Sequence, residues 1–375
     1  MVRKIRSIAL VIVITLVLLE ATLLVVVRAG LLDLPLPTYS MSDVKPYAAP
    51  LDPVFGTWHV ANAQKRHAQG CFDVTYRTNS FGMRDREVAL RSTEPRVVVL
   101  GDSFVEGFGV EYGKRFTERL EGLTGIEHLN FGLRGASPTG EYLIYQRLAS
   151  RFDHDAVILM VLPRNDFTED EPTPNALGPG GFFRPYLVGE YPNYRVTLPA
   201  RKFPDGPPAN EWGNLLTDYS MVAQAASYAY EYLYFAVTNL RAAGEAFGPA
   251  RSYYFDYTPA QFDRLRYVVE QIKTIAGDRP VLITTMAGGR ADYTRAAQAK
   301  VTPPLRLALA DLARELHVDY LDLMEAMPDP QWSRYFLSCN EHWGDYGNEA
   351  AAEAIASFWS YYRQKGGVTP TVAGH

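Results

Sequence analysis

Ser103 follows a run of apolar, mostly β-branched residues in the stretch RVVVLGDSF. A serine hydroxyl is a weak nucleophile until a histidine accepts its proton. His342 stands far along the chain in CNEHWGDYGNEAAAEAI, just ahead of a helical pattern. Two further residues follow strand-like runs, Gly132 in LNFGLRG and Asn165 in VLPRNDF. The Ser103 N–H, a backbone N–H at Gly132 and the Asn165 amide are the kinds of donor that a tetrahedral oxyanion needs. Losing one such donor typically costs about 10²–10³ in rate. Each residue alone has a plainer reading: a turn, a loop glycine, a turn cap, a histidine packed on Trp343. Together, in this order and each at the end of an element, they spell acyl transfer.

For these side chains to meet, their strands must lie side by side with carboxyl ends on one rim. Strand patterns cover residues 97–100, 128–131, 156–162, 281–286 and 320–323, and helical patterns separate them at 139–151, 258–276, 302–316 and 348–365. The helix at 258–276 is the clearest. Thr258 is its N-cap, Pro259 its first residue and Gln261 the partner of a capping box, with Gly277 as its stop. Strands alternating with helices predict a parallel sheet covered on both faces. Ligands and chemistry gather at the carboxyl ends of such sheets. Residues 171–256 interrupt the rhythm, first with Pro- and Gly-rich text and then with a helical pattern near 219–247, and read as an insertion beside that rim. The acidic pair around His154 reads as a solvated loop, and Asp322 as a structural residue ending the last strand.

The chain has 375 residues and a net charge of −5, with no basic stripe, which argues against nucleic acid as a partner. Its N-terminus is more telling. Arg3, Lys4 and Arg6 precede an apolar run over 7–27, broken by Thr15, Glu20 and Thr22. About 20 such residues span a hydrocarbon core of roughly 30 Å, and the basic flank places the N-terminus in the cytoplasm. The run exceeds the roughly 7–15 residues of a cleaved signal. The expectation is therefore an uncleaved anchor over 1–30, a proline-rich tether over 31–70 and an extracytoplasmic, periplasmic domain over 71–375. Glu20 inside the span must be protonated, snorkelling or paired, and a membrane-protein partner would satisfy it. The two cysteines, Cys71 and Cys339, can form one disulfide in an oxidising compartment. The alternating piece from Cys71 onward is expected to cover an edge of the sheet. No C-x-x-C or Cys/His cluster points to a metal, and no cofactor is expected.

The four residues and their surroundings resemble the SGNH/GDSL hydrolase superfamily over residues 96–364. The text TNSFGMRDRE and HWGDYGNEAAAEAI is similar to its membrane-anchored bacterial branch. The resemblance implies a flavodoxin-like three-layer α/β/α sandwich of about five parallel strands. It also implies a serine esterase or O-acyltransferase acting on small acyl groups. An α/β-hydrolase would instead read G-x-S-x-G, which Val105 breaks. Two departures stand out. Pro163 replaces the glycine expected before Asn165, and the positions of the usual triad acid hold Asn340 and Cys339. A Ser–His dyad oriented by Asn340 or a backbone carbonyl is expected, with a histidine pKa near its ordinary value of about 6.5. The leading reading is an anchored esterase acting on an acylated surface carbohydrate. The alternatives are an O-acyltransferase on a cell-surface polysaccharide and an attenuated scaffold subunit of a membrane assembly.

Overall fold

Buried runs of Val, Ile and Leu need cover on both faces, and the chain supplies it. The computed structural model describes residues 2–32, 34–37, 47–173, 183–199, 212–238, 252–328 and 331–364. In chain order the first elements are helix α1 (Val2–Arg28) and strands β1 (Ala48–Asp52), β2 (Gly56–His59), β3 (Gln64–Gln69), β4 (Phe72–Arg77) and β5 (Arg96–Gly101). Next come α2 (Ser103–Glu106), α3 (Phe116–Thr124), β6 (Glu127–Gly132), α4 (Pro138–Arg147), β7 (Ala156–Val161) and α5 (Pro163–Glu169). The short strands β8 (Tyr186–Val188) and β9 (Arg195–Thr197) precede α6 (Trp212–Tyr219) and α7 (Met221–Thr238). The chain then forms α8 (Pro259–Ala276), β10 (Val281–Thr285), α9 (Arg290–Ala299), α10 (Pro304–Leu316), β11 (Asp319–Asp322) and α11 (Leu323–Ala326). It closes with β12 (Phe336–Leu337), β13 (Asn340–Trp343), α12 (Asp345–Phe358) and α13 (Ser360–Gln364).

Strands β6, β5, β7, β10 and β11 form one parallel sheet in that spatial order, the doubly wound 2-1-3-4-5 arrangement. Strand alternation sorts the core into two layers. Val98, Leu100, Val157, Leu159 and Ile283 face α4, α8 and α10, while Val97, Val99, Ile158, Met160 and Leu282 face α3 and α12. Each fully buried Val or Leu contributes roughly 1.5–3 kcal/mol of transfer free energy, so both layers are strongly specified. The predicted capping box is present: Thr258 Oγ1 accepts from the Gln261 N–H, and Gln261 Oε1 accepts from the Thr258 N–H at 2.8 Å. Asp322 is structural, accepting from the Met324 N–H, Arg306 and Tyr254.

Three expectations are corrected. The stretch read as a tether is folded from Ala48 onward: β1 pairs with β2, and Phe55 and Trp58 are buried in the core. The piece after Cys71 pairs with β3 as a separate antiparallel hairpin and not with the sheet edge. Its Tyr76 hydroxyl accepts from the Gly109 N–H at 2.8 Å, so it packs on the loop after Ser103. His154 is not a solvated loop residue but is buried on the Tyr145 hydroxyl at 2.9 Å. The expected helix over 219–247 is seen as α7, and its part beyond residue 238 lies outside the described residues, as does the end of the 348–365 helix at Lys365.

α1 holds 25 residues, Lys4–Arg28, long and apolar enough to cross a membrane. At the other end of the molecule's logic stands a steric constraint. α2 lies directly on the ends of β5 and β6, and a Cβ on Gly132 would meet the Glu106 backbone nitrogen. That backbone cannot bend away without moving Ser103. Gly132→Ala is therefore expected to lower the melting temperature by several degrees, in line with the roughly 1–3 kcal/mol of an overpacked core. Thermal unfolding checks it, and an unchanged melting temperature would show that α2 can shift freely.

Candidate active site

Ser103 is the first residue of α2. Asp102 caps this helix by accepting from the Phe104 N–H at 2.9 Å. Gly107 ends it in the left-handed region at φ 87°, its N–H on the Ser103 carbonyl. Arg84, buried within the TNSFGMRDRE segment, donates to the carbonyls of Glu106, Gly107 and Val110 at 2.8, 2.5 and 2.6 Å. Those are carbonyls that the helix end and the following turn leave open. The segment thus clamps the serine's helix from behind.

The β12–β13 hairpin delivers His342. Its Nε2 lies 2.7 Å from Ser103 Oγ, and its Nδ1 lies 2.5 Å from Asn340 Oδ1. An amide oxygen can only accept, so Nδ1 carries the proton and Nε2 is left to accept from the serine hydroxyl. Asn340 Nδ2 donates to Gln69 Oε1 at 3.3 Å, which holds the amide this way round. Glu341 turns away and pairs with Arg164. Cys71 and Cys339 are joined by a disulfide, S–S 2.12 Å, closing the turn before Asn340 against the β3–β4 hairpin. Such a long closed loop stabilises the fold by roughly 5 kcal/mol in the chain-entropy picture.

The imidazole is half-buried. Phe104 and Phe108 stack on it with ring centroids 4.8 and 4.0 Å away. Arg134 lies over Phe108 at 5.3 Å. Burial pushes the His342 pKa down to about 3, and the charges of Arg134 and Arg164 push the same way against Glu106. The expectation of an ordinary histidine is corrected for that reason. Beneath the rim, Asp102, Glu141 and Asp166 are buried together. Loss of water raises all three carboxyls, and repulsion from neighbouring acids, Glu169 among them for each, pushes the same way.

Asn165 sits in the first turn of α5 and lines a cavity of 650 Å³ with Phe104, Trp332, Phe336, Asn340 and His342. Trp332 stacks on Tyr293 at 5.1 Å. Gly132 behaves differently. Its N–H already donates to Asn130 Oδ1 at 3.0 Å, inside β6, so it is spent and cannot serve an oxyanion. In the turn beyond, the N–H groups of Leu133, Arg134 and Ala136 are bound to Gly101, Glu106 and Leu133. Gly135, at φ 74°, keeps an N–H with no hydrogen bond among the described residues. Gln69, Phe108, Arg134 and Gly135 carried no signal in the sequence reading, although Gly135 stands in the same glycine-containing turn. Among the described residues no group of three His, Cys, Asp or Glu side chains could hold a metal ion.

Among curated proteins none matches the chain in sequence. Several solved structures are similar to it. One is a protein from Lactobacillus plantarum at 14% identity and TM-score 0.38, covering 71% of this chain and 97% of that one. The lipase/acylhydrolase from Enterococcus faecalis is similar at 12% identity and TM-score 0.36, covering 72% and 96%. A mutant of an acetyl-xylooligosaccharide esterase from Geobacillus is similar at 14% identity and TM-score 0.36, covering 74% and 97%. The model of the GDSL-like lipase/acylhydrolase family matches residues 99–375, which contain Ser103, Asn165 and His342 and all but the first strand residues of the parallel sheet. That match spans the greater part of the sequence and the whole of the rim just described, and the chain belongs to the GDSL-like lipase/acylhydrolase family.

Proposed function

We propose that the protein is a membrane-anchored, outward-facing serine esterase that removes small acyl groups, acetyl-like in size, from a surface carbohydrate. The observation that carries this reading is the hydrogen-bonded chain from Ser103 through His342 to Asn340. Ser103 Oγ attacks the ester carbonyl while His342 Nε2 takes its proton. The oxyanion is held by the Ser103 N–H, the Asn165 amide and the Gly135 N–H, Gly132 serving instead as the flat seat of α2. The protonated Nε2 then returns its proton to the departing alcohol, and a water activated by the same nitrogen releases the acyl group. The Trp332–Tyr293 stack beside the cavity supports a sugar ring as the alcohol part. α1 supports the anchor.

The site works without a carboxylate on Nδ1. Asn340 fixes the tautomer, as an asparagine does in Cys–His–Asn sites, but it cannot offset the charge of the imidazolium. A half-buried histidine with a low pKa is also a weak base. Slow turnover follows.

Ser103→Ala should fold and melt like the parent but lose hydrolysis of an aryl acetate and labelling by a fluorophosphonate. Retention of more than about a hundredth of the activity would remove Ser103 from the nucleophile's place, because losing a nucleophile costs far more.

The acting form of His342 is neutral, and lowering its pKa to about 3 extends that form toward acid. Rates measured across pH 5–8 (roughly the range in which an unperturbed histidine would change charge) should therefore stay flat. They should fall only on approach to the lowered pKa. A limb centred near the ordinary histidine value would mean that the ring is far more solvated than its burial allows.

Asn340→Asp places a carboxylate on Nδ1, which raises the histidine's basicity and stabilises the imidazolium. Ester hydrolysis at neutral pH should rise by at least about tenfold, a fraction of the roughly 10⁴ lost in the reverse change in a serine protease. An unchanged or lower rate in a folded variant would show that the charge at this position does not limit turnover.

A further inference from the structure

Glu20 interrupts the apolar face of α1 eight residues before Arg28, about 12 Å along the axis at 1.5 Å per residue. With the apolar run laid across a hydrocarbon core of about 30 Å, this carboxyl lies below the headgroups, where it needs partners. The chain provides them. Ser220 Oγ donates to Glu20 at 2.9 Å, and the backbone N–H groups of Met221 and Val222 donate at 2.6 and 3.0 Å. These are opening N–H groups of α7, which a helix leaves without internal partners. A residue of one helix thus caps the start of another, and the turn between α6 and α7 is brought to the depth of Glu20. Apolar contact continues from there, with Met221 and Ala225 packed among Leu23, Leu24 and Val27.

The other side of this helix pair is unlike a water-facing surface. Leu216, Tyr228, Tyr230 and Leu233 are 51–69% exposed. Residues 212–238 contain no Lys or Arg and only two acids, Asp218 and Glu231. Helices that face water carry a charged face, whereas tyrosines and apolar residues together mark the membrane boundary. We propose that α6 and α7 form a hairpin seated in the bilayer leaflet on the catalytic domain's side, with Leu216, Tyr228, Tyr230 and Leu233 covered by phospholipid. This rests on α1 being a membrane span. The hairpin gives the domain a second attachment beside α1 and fixes its rotation about that helix.

The test uses the full chain in phosphatidylcholine vesicles, with a benzoylphenylalanine photoprobe at Leu216, Tyr228 or Leu233. A probe at Leu16 in α1 reports the span, and one at Leu307, exposed on α10, reports the water-facing domain. Irradiation and mass spectrometry should find lipid adducts at Leu16 and at all three hairpin sites, and none at Leu307. Adducts at Leu16 with the hairpin sites no higher than Leu307 would overturn the hairpin and leave the span standing. Cross-links from the hairpin to a second copy of the chain, in place of lipid, would overturn it in favour of a protein contact. Loss of the Leu16 adduct would remove the span and this inference with it.

Discussion

An imidazole held neutral inside the rim of the sheet is the constraint around which the site is arranged. An imidazolium partly stripped of water and without an anionic partner is costly, and packing against Phe104 and Phe108 keeps His342 uncharged. Its partner is an amide, not a carboxylate. Asp102, Glu141 and Asp166 beneath the rim favour the protonated form as well, whereas Glu106 stays charged against His59 and Arg84. Positioning therefore falls to neutral contacts. Ring stacking, one amide chain and a disulfide hold the histidine where a charged triad would use an ion pair.

Orientation without charge demands a longer chain of supports. Asn340 can accept from Nδ1 only while its amide is turned correctly, and Gln69 fixes that turn. Gln69 is placed by β3, whose hairpin partner is bound to the loop after Ser103 through Tyr76 and to the histidine loop through Cys71. The segment before the sheet thus belongs to the site as much as the sheet does. Arg84 makes the same point from the other side, satisfying carbonyls at the end of the serine's helix.

The sheet was legible in the sequence because its central strands β5, β7 and β10 bury both faces and read as apolar runs, with β6 and β11 following in the same strand–helix rhythm. Three of the chemical blocks were legible because each follows a sheet strand, and the fourth because His342 stands just ahead of the last helical pattern. What escaped had a physical reason in each case. Gln64–Gln69 is polar apart from Ala68 and shows no apolar alternation, so β3 and Gln69 were invisible. Gly132 and Gly135 occupy the same turn, and only the hydrogen bond from Gly132 to Asn130 Oδ1 shows which N–H is spent. The histidine's depressed pKa depends on Phe108 and Arg134, which approach it only through folding.

The turn that carries the histidine's supports also meets α1, through Gly70. In the β3–β4 turn Gln69 touches Asn340, Cys71 is bonded to Cys339, and Gly70 between them lies so close to the Val27 carbonyl that a Cβ there would stand 2.7 Å from it. The Leu36 N–H donates to the Ala68 carbonyl at 2.9 Å, fastening the chain that leaves α1 to the same turn. With α1 across a bilayer, as proposed, this places the histidine loop a few residues' width from the membrane boundary and allows no flexible spacer between them. An esterase on a long tether could search a polymer at a distance. One fastened at Gly70 and again at Glu20 would act on esters presented at the level of the headgroups, and the direction in which its cavity opens would be set by the span itself.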